Sequence, residues 1–387
     1  MLHRPTLLSA LGGILFTLTG PAARAQSDSI LVGGLERTYT LRLPGAYDGT
    51  TLMPLVIAMH GGFGSGTQLE GQSQLTVKAD QENFLVVYPD GVASTIGIRT
   101  WNAGWCCGYA VNNNIDDVGF IDALIDSLAD DHAIDTMRVY ATGMSNGGFM
   151  SYRLACELSG RIAAIAPVSA SMSMIDCAPA RSMPVIALHS YQDESVPYLG
   201  GIGTGVSAHY NSPLDSVQNA FAAHANCTVL NDTIIDNAEM TVIRWHECDC
   251  AQEVITYMTH DGGHSWPGGV QSPIGDPVSI VISANDLMWD FFQQYTLDCD
   301  VSTGVPTRTP SSGIDLYPNP AARSVTVTGH QLVRITVLDP IGREVLALST
   351  SPADVMHCDV GSLTAGRYVV RTLAKDGSTC ASPLVIR

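Results

Sequence analysis

From about residue 30 to residue 296 the chain alternates short apolar runs with amphipathic stretches. The runs Thr38 to Leu43, Pro54 to Met59, Phe84 to Tyr88, Arg138 to Thr142, Ile162 to Pro167, Pro184 to His189 and Glu253 to Met258 predict strands. Between them, Val118 to Asp130 carries Phe120, Leu124 and Leu128 on one face, and Asn146 to Leu158, Pro213 to Ala225 and Ala284 to Tyr295 read as further helices. Apolar strands separated by amphipathic helices imply a mainly parallel sheet with helices on both faces, an α/β architecture. From Ser302 to Ser312 the composition shifts to Ser, Thr, Gly and Pro, which reads as a linker. Beyond it, short alternating segments such as Ser324 to Val327, Val333 to Leu338, Glu344 to Leu348 and Arg367 to Leu373 predict a small antiparallel β-sandwich domain, with turns at Pro340 to Gly342 and Asp376-Gly377.

One run carries chemistry. Val139 to Met150, VYATGMSNGGFM, is an apolar strand, a Gly-Met-Ser-Asn-Gly turn and the start of a helix. A serine at so sharp a turn needs small neighbours, which Gly143 and Gly147 supply, and it projects Ser145 with the Asn146 amide beside it at a helix N-terminus. Such a nucleophile needs a base and a residue to orient that base, each on a loop after a strand, in the order Ser, acid, His. Asp193, in HSYQDESVPY, and His264, in HDGGHSWPGG, meet both conditions. Glu194 is the rival acid, but a neighbour points elsewhere. His260 still belongs to the strand end, whereas Gly262 and Gly263 let the loop bring His264 back over the sheet. The two histidines four apart are not on a helix, so no metal site is expected. The second oxyanion donor is expected in HGGFGSG, from Gly62 or Phe63; no GK[ST] follows, which argues against a phosphate loop.

The ends and the charge narrow the setting. Met1 to Ala25 reads as a secretory signal, with His3 and Arg4, an apolar stretch from Leu7 to Leu18, and Ala23-Arg24-Ala25 as cleavage site. The expected organisation is a signal peptide over 1–25, a hydrolase domain over 28–298, a linker over 299–312 and a β domain over 313–387. The net charge is -18 and the only lysines are Lys78 and Lys375, which argues against nucleic acid or an anionic membrane surface as partner, and no stable membrane insertion is expected. Ten cysteines in an exported chain point to disulfides rather than zinc, and no spacing matches a zinc pattern. Trp101, Trp105 and Trp266 fall in Gly/Asn-rich loops, where they stack on substrate or pack the loop. Trp266, Trp101 and Phe63 are the candidate substrate-binding residues. Asp116 and Asp117 read first as helix caps and dipole partners, and NNNIDD lacks the spacing of a calcium loop.

Five ordered motifs, WNAGWCCGYA, DDVGF, GMSNGG, DESVPY from Asp193 and GGHSWPGG, resemble the secreted feruloyl esterase and polyhydroxybutyrate depolymerase group of α/β hydrolases, over roughly residues 28–296. The resemblance implies the α/β-hydrolase fold, a Ser145, Asp193, His264 triad, and Gly62 and Asn146 amides as oxyanion donors. It also implies a cofactor-free serine esterase, acting first on feruloyl or acetyl esters of plant polysaccharide and second on polyhydroxyalkanoate. The family usually has His-Gly-Thr where this chain has His189-Ser190-Tyr191, with Gln192 before the retained aspartate, a departure that bears on pocket shape. A catalytically dead binding protein on the same fold would have lost a triad member, and all three are present. The resemblance pairs Cys227 with Cys248 and Cys156 with Cys177. Adjacent Cys106 and Cys107 are expected to have separate partners, because a bond between them closes a strained ring. Cys358 with Cys380 is plausible within the small domain, and partners among Cys106, Cys107, Cys250 and Cys299 stay open.

At the other end, LYPNPA from Leu316, VLDPIGREV, LTAGRYVVR and the closing LVIR resemble the type A sorting domain of the type IX secretion system. That resemblance implies export through the periplasm to the cell surface or medium, with the secretion machinery as a partner. The alternative, a carbohydrate-binding module, lacks an aromatic platform, since Tyr317 and Tyr368 are the domain's only aromatics.

Overall fold

The computed structural model describes residues 24–298 apart from 175–176, 206–208 and 274, and residues 315–387 apart from 318, 320, 339–343 and 376–378. The expected signal segment up to residue 23, the linker with Cys299, and the turns Pro340 to Gly342 and Asp376-Gly377 lie wholly or largely outside these residues. The chain divides into two compact units at residues 301/302. No helix among the described residues is long and apolar enough to cross a membrane.

In the first unit the strands are β1 (Arg24–Val32), β2 (Leu35–Leu43), β3 (Met53–Met59), β4 (Leu85–Pro89), β5 (Val92–Ala93), β6 (Arg99–Thr100), β7 (Ile134–Met144), β8 (Ala164–Val168), β9 (Val185–Ser190), β10 (Gly201–Ile202), β11 (Tyr210–Asn211), β12 (Val229–Asp236), β13 (Met240–His246) and β14 (Val254–Thr259). The helices are α1 (Gly66–Ser73), α2 (Leu75–Glu82), α3 (Gly108–Asn112), α4 (Asp117–Asp131), α5 (Asn146–Glu157), α6 (Leu214–His224) and α7 (Ala284–Phe292). Ten strands form one sheet in the order β1-β2-β4-β3-β7-β8-β9-β14-β13-β12. The run from β4 to β14 is parallel, and the four flanking strands are antiparallel.

In the central strands alternate residues feed opposite cores, as the two-residue period of a strand requires. Leu55, Ile57 and Met59 of β3 pack with Phe120, Leu124 and Leu128 of α4, Phe149 and Leu154 of α5, and Phe221 of α6. Val56 and Ala58 face the other way, against Leu69 of α1, Ala79 of α2, and Trp289 and Phe292 of α7. On that side Trp289 stacks on Phe84 at 4.1 Å and Phe292 on Tyr140 at 4.6 Å between ring centroids. Each such side chain contributes on the order of 2 kcal/mol by leaving water.

The seven predicted strands and four predicted helices are present, with ends shifted by a few residues. The structure adds β1 and β12 at the sheet margins, where exposed polar residues break the alternation, β13 between β12 and β14, and the helices α1, α2 and α3. Asp116 is the N-cap of α4, its Oδ1 accepting the Gly119 amide at 2.8 Å. Asp117 does more than expected of a cap. Fully buried, it accepts Arg37 Nη2 at 2.6 Å through one oxygen and the Asn102 amide at 2.7 Å through the other. Burial pushes its pKa up, and Arg37 and the Asn102 amide offset part of that rise.

The second unit consists of β15 (Asp315–Tyr317), β16 (Ser324–Leu338), β17 (Glu344–Asp359), β18 (Gly366–Ala374) and β19 (Thr379–Ile386), all antiparallel in one sheet. Val325, Val327, Ile335, Val337, Val370 and Leu384 are among its core residues. The expected Cys358 to Cys380 bond is corrected here, since Cys358 is a free, buried thiol. Cys358 lies on β17 opposite Val325 of β16 and Cys380 lies on β19 opposite Thr372 of β18, so two strands separate them.

His60, the residue after β3, ties this strand to the turn after β4. Its Nε2 accepts the Gly91 amide at 2.9 Å, which places the proton on Nδ1, 2.7 Å from the Gly61 carbonyl. Burial holds its pKa down at about 4 against an ordinary 6.5. As pH falls below the ordinary value the unfolded chain takes up a proton that folded His60 refuses, so stability declines between those two values by up to about 3 kcal/mol. Urea titrations at several pH values across that window should give a shallower decline for His60→Gln than for the parent. Equal slopes in the two proteins would remove His60 from the acid response.

Candidate active site

The turn from β7 into α5 places Ser145 at φ 54 and ψ -124, a conformation a non-glycine residue keeps only when its surroundings enforce it. Enforcement comes from close packing. A Cβ at Gly147 would collide with the Met59 and His60 carbonyls, and one at Gly143 would lie 2.5 Å from the Gly147 carbonyl carbon. The Ser145 amide donates to the Val168 carbonyl at 3.0 Å, and its carbonyl accepts the Phe149 amide at 2.9 Å, so the backbone is held on both sides.

Asp193, on the loop after β9, has a fully buried side chain. Its Oδ2 lies 2.9 Å from His264 Nδ1 and its Oδ1 accepts the Val196 amide at 2.8 Å. Burial alone would raise its pKa, but the His264 hydrogen bond, the charges of His264 and His189, and the Val196 amide outweigh it, and the net shift is downward. The acid therefore stays ionised below the usual carboxylate range. Bonded through Nδ1, His264 presents Nε2 to the cavity that it and Ser145 both line. No hydrogen bond joins Ser145 Oγ to His264 in this arrangement. Glu194, the rival acid, is exposed, and His260 instead lies 3.3 Å from the Thr241 hydroxyl and packs against Tyr191.

The His264 loop is braced from behind: the Asp276 carboxylate accepts the His264 amide at 2.8 Å, and Asp261 accepts the Ser279 hydroxyl and the Ile280 amide. Ser190, Tyr191 and Gln192, where the chain departs from the family's pattern, act here rather than in the main cavity. The Ser190 hydroxyl donates to the Asp261 carbonyl at 3.1 Å, Gln192 donates to the His260 carbonyl, and Tyr191 packs on His260. They fasten the acid loop to the histidine loop.

In HGGFGSG the Phe63 amide donates to the Arg99 carbonyl at 2.9 Å and is unavailable to a ligand. Gly62, packed against Asn146, keeps its amide free among the described hydrogen bonds, as does Asn146 at the first turn of α5. The Asn146 side chain clamps both sides of the Trp101 backbone, accepting its amide at 2.6 Å and donating to its carbonyl at 3.0 Å.

Two aromatic assignments are corrected. Trp101 and Trp266 are fully buried and do not line the cavity. Trp101 Nε1 donates to the His60 carbonyl and Trp266 Nε1 to Asn285, so each fills a loop base where its N–H finds a partner. Phe63 does line the cavity and is 58% exposed. The cavity has a volume of about 640 Å³, and its lining includes Phe149, Val196, Tyr109, Cys106 and Cys107, which sequence reasoning did not place there. The signal for three of them was the WNAGWCCGYA segment itself.

Disulfides join Cys156 to Cys177 and Cys227 to Cys248, and Cys250 is disulfide-bonded as well. The expectation of separate partners for Cys106 and Cys107 is overturned: they are bonded to each other across a cis peptide, which sets their Cα atoms 3.0 Å apart. Cys106, Cys107 and His209 cluster tightly enough to suggest metal ligands, but the two sulfurs are committed to this bond.

Residues 37–193 match the family described as Esterase PHB depolymerase, and residues 315–387 match the Secretion system C-terminal sorting domain. Feruloyl esterase B of Piromyces equi is 29% identical over 270 residues, spanning 67% of this chain but only 46% of that protein. The probable feruloyl esterase C of Aspergillus niger is 27% identical over 268 residues, 66% of this chain and 83% of that one. Among solved structures, the acetyl xylan esterase from Aspergillus awamori aligns over 70% of this chain and 99% of that one, with TM-score 0.49 and 14% identity. Residues 37–193 therefore carry a domain of the esterase and polyhydroxybutyrate depolymerase type, which points to a carboxylic ester hydrolase, and residues 315–387 a secretion-system sorting domain that marks the chain for export.

Proposed function

We propose that this protein is an exported serine esterase that releases feruloyl or acetyl groups from plant polysaccharide through an acyl-enzyme. The observation that carries the reading is the joint placement of a strained Ser145 and an Asp193-bonded His264 on one cavity. In this mechanism His264 Nε2 takes the Ser145 proton as Oγ attacks the ester carbonyl. The oxyanion is received by the amides of the cavity-lining Gly62 and Asn146, which have no partner among the described hydrogen bonds. Collapse expels the alcohol with the proton from His264, and a water activated by the same imidazole then releases the acid. Asp193 stays ionised throughout, holding the tautomer and stabilising the imidazolium. The named activities of the relatives support a polysaccharide ester as substrate.

A polyester reading has one observation in its favour. Leu199 and Ile202, 71% and 70% exposed, flank the loop that carries Asp193, and apolar surface of that kind suits a hydrophobic polymer. We further propose a removable signal peptide over 1–25, a catalytic domain over 28–298, a linker over 299–312, and residues 313–387 as the part handed to the type IX secretion machinery.

Methyl ferulate, acetylated xylan and a polyhydroxybutyrate film, assayed side by side, separate the substrates: ferulate or acetate release supports the plant-wall reading, and film clearing supports the polyester. Ser145→Ala should lower kcat by at least about a thousandfold with an unchanged melting curve; retained turnover would sink the nucleophile assignment. Asp193→Asn should cost about 10⁴ in kcat by releasing the wrong imidazole tautomer, and a loss below tenfold would point to another orienting acid. A chain ending near residue 301 should keep its esterase activity and lose delivery to the surface, checked by cell fractionation. An inactive but folded truncated protein would assign the C-terminal unit a part in catalysis.

A further inference from the structure

The cavity lining is of two kinds. Phe63, Ser94, Tyr109 and Asn112 are exposed or half-buried, and Cys106, Cys107, Phe149 and Val196 are buried. The cysteine pair is tied to the segment of Ser145 by one side chain: Asn146, the residue after Ser145, directs its Nδ2 at Cys106 Sγ, 3.6 Å away, while clamping Trp101. The backbone leading to the pair is held again at Asn102, whose amide meets Asp117 and whose carbonyl accepts Arg153 at 2.6 Å. The disulfide therefore stands at a set position relative to Ser145. A disulfide ring is compact, polarizable and without hydrogen-bond donors, whereas two free thiols would present donors at the same place.

From this we infer that the Cys106–Cys107 disulfide is a specificity-determining wall of the acyl pocket, against which the flat face of an unsaturated aromatic acyl group packs. The inference rests on the esterase reading above. The volume favours it: a cavity of about 640 Å³ lies in the range that holds a whole small ligand, far more room than an acetyl group fills. Sulfur beside an aromatic ring is a favourable contact, and Phe149, whose edge meets the His209 ring at 5.2 Å, extends the same apolar surface. The more exposed lining groups, the hydroxyls of Ser94 and Tyr109 and the amide of Asn112, are left for the sugar alcohol.

The test compares the parent with the Cys106→Ala/Cys107→Ala protein on methyl ferulate and p-nitrophenyl acetate, with active sites counted by an organophosphonate. The ratio of kcat/KM for ferulate over acetate should fall about fivefold to tenfold in the variant, chiefly through KM. An unchanged ratio, or one that falls through kcat alone, overturns the proposal. If the variant does not fold, a crystal of the Ser145→Ala protein with methyl ferulate decides. The ring within about 4 Å of either sulfur supports the wall, and a ring seated elsewhere, or no bound ester, overturns it. Parent protein active on acetate but silent on ferulate defeats this proposal alone, whereas silence on every ester, with no organophosphonate label on Ser145, defeats the esterase reading beneath it.

Discussion

The backbone conformation of Ser145 is the constraint on which the site depends. At φ 54 a serine would relax if its neighbours allowed it, and they do not: α5 begins so close to the ends of β3 and β7 that Gly143 and Gly147 have no room for a Cβ. That contact is made possible by a sheet whose central strands are buried on both faces, which anchors β3, β7 and β8 in register. The strain is held by packing on the scale of the whole unit, and it delivers a hydroxyl and the first amides of a helix to one point in the cavity.

Around that point the protein uses buried polar groups to hold loops that have little apolar content of their own. Arg37, Asp117 and Asn102 form one such assembly, with the guanidinium also 3.9 Å from the centre of the Phe120 ring. A buried carboxylate is costly unless its oxygens are occupied, and here each oxygen has a partner that belongs to a different part of the chain. The charge thereby specifies where the segment after β6 must lie. Asn146 repeats the device beside Ser145, and His60 repeats it at the base of the HGGFGSG loop. Removing one of these groups leaves another buried and unsatisfied, at a cost on the order of 1–3 kcal/mol.

Legibility in the sequence varied with how local the cause was. The elbow, the acid and the histidine each sit at a strand end with turn residues beside them, and a period of two changing to a period near four marks such places. Trp101 and Trp266 were misread because loop aromatics look alike in sequence, whether they face a cavity or fill the base of a loop; burial and the partners His60 and Asn285 decide. The bond between Cys106 and Cys107 was hidden for a similar reason: the peptide joining them is cis, and no local pattern announces that. Margin strands such as β12, VLNDTIID, lack a clean alternation because much of their surface meets water, so their pairing partner defines them more than their composition.

What this sequence determined by itself was the alternation of strand and helix, the positions of glycine at a turn with no room for a Cβ, and the order of three chemical groups along the chain. These follow from short-range physics, since side-chain periodicity and backbone sterics act over a few residues. Only the tertiary structure decided that Asp193 and His264, 71 residues apart, share a hydrogen bond, that Asp117 meets Arg37 across 80 residues, and that a cysteine pair lines the same cavity as Ser145. Those contacts are set by how the sheet stacks its strands and how buried charges find partners, and neither is written at any one place in the chain.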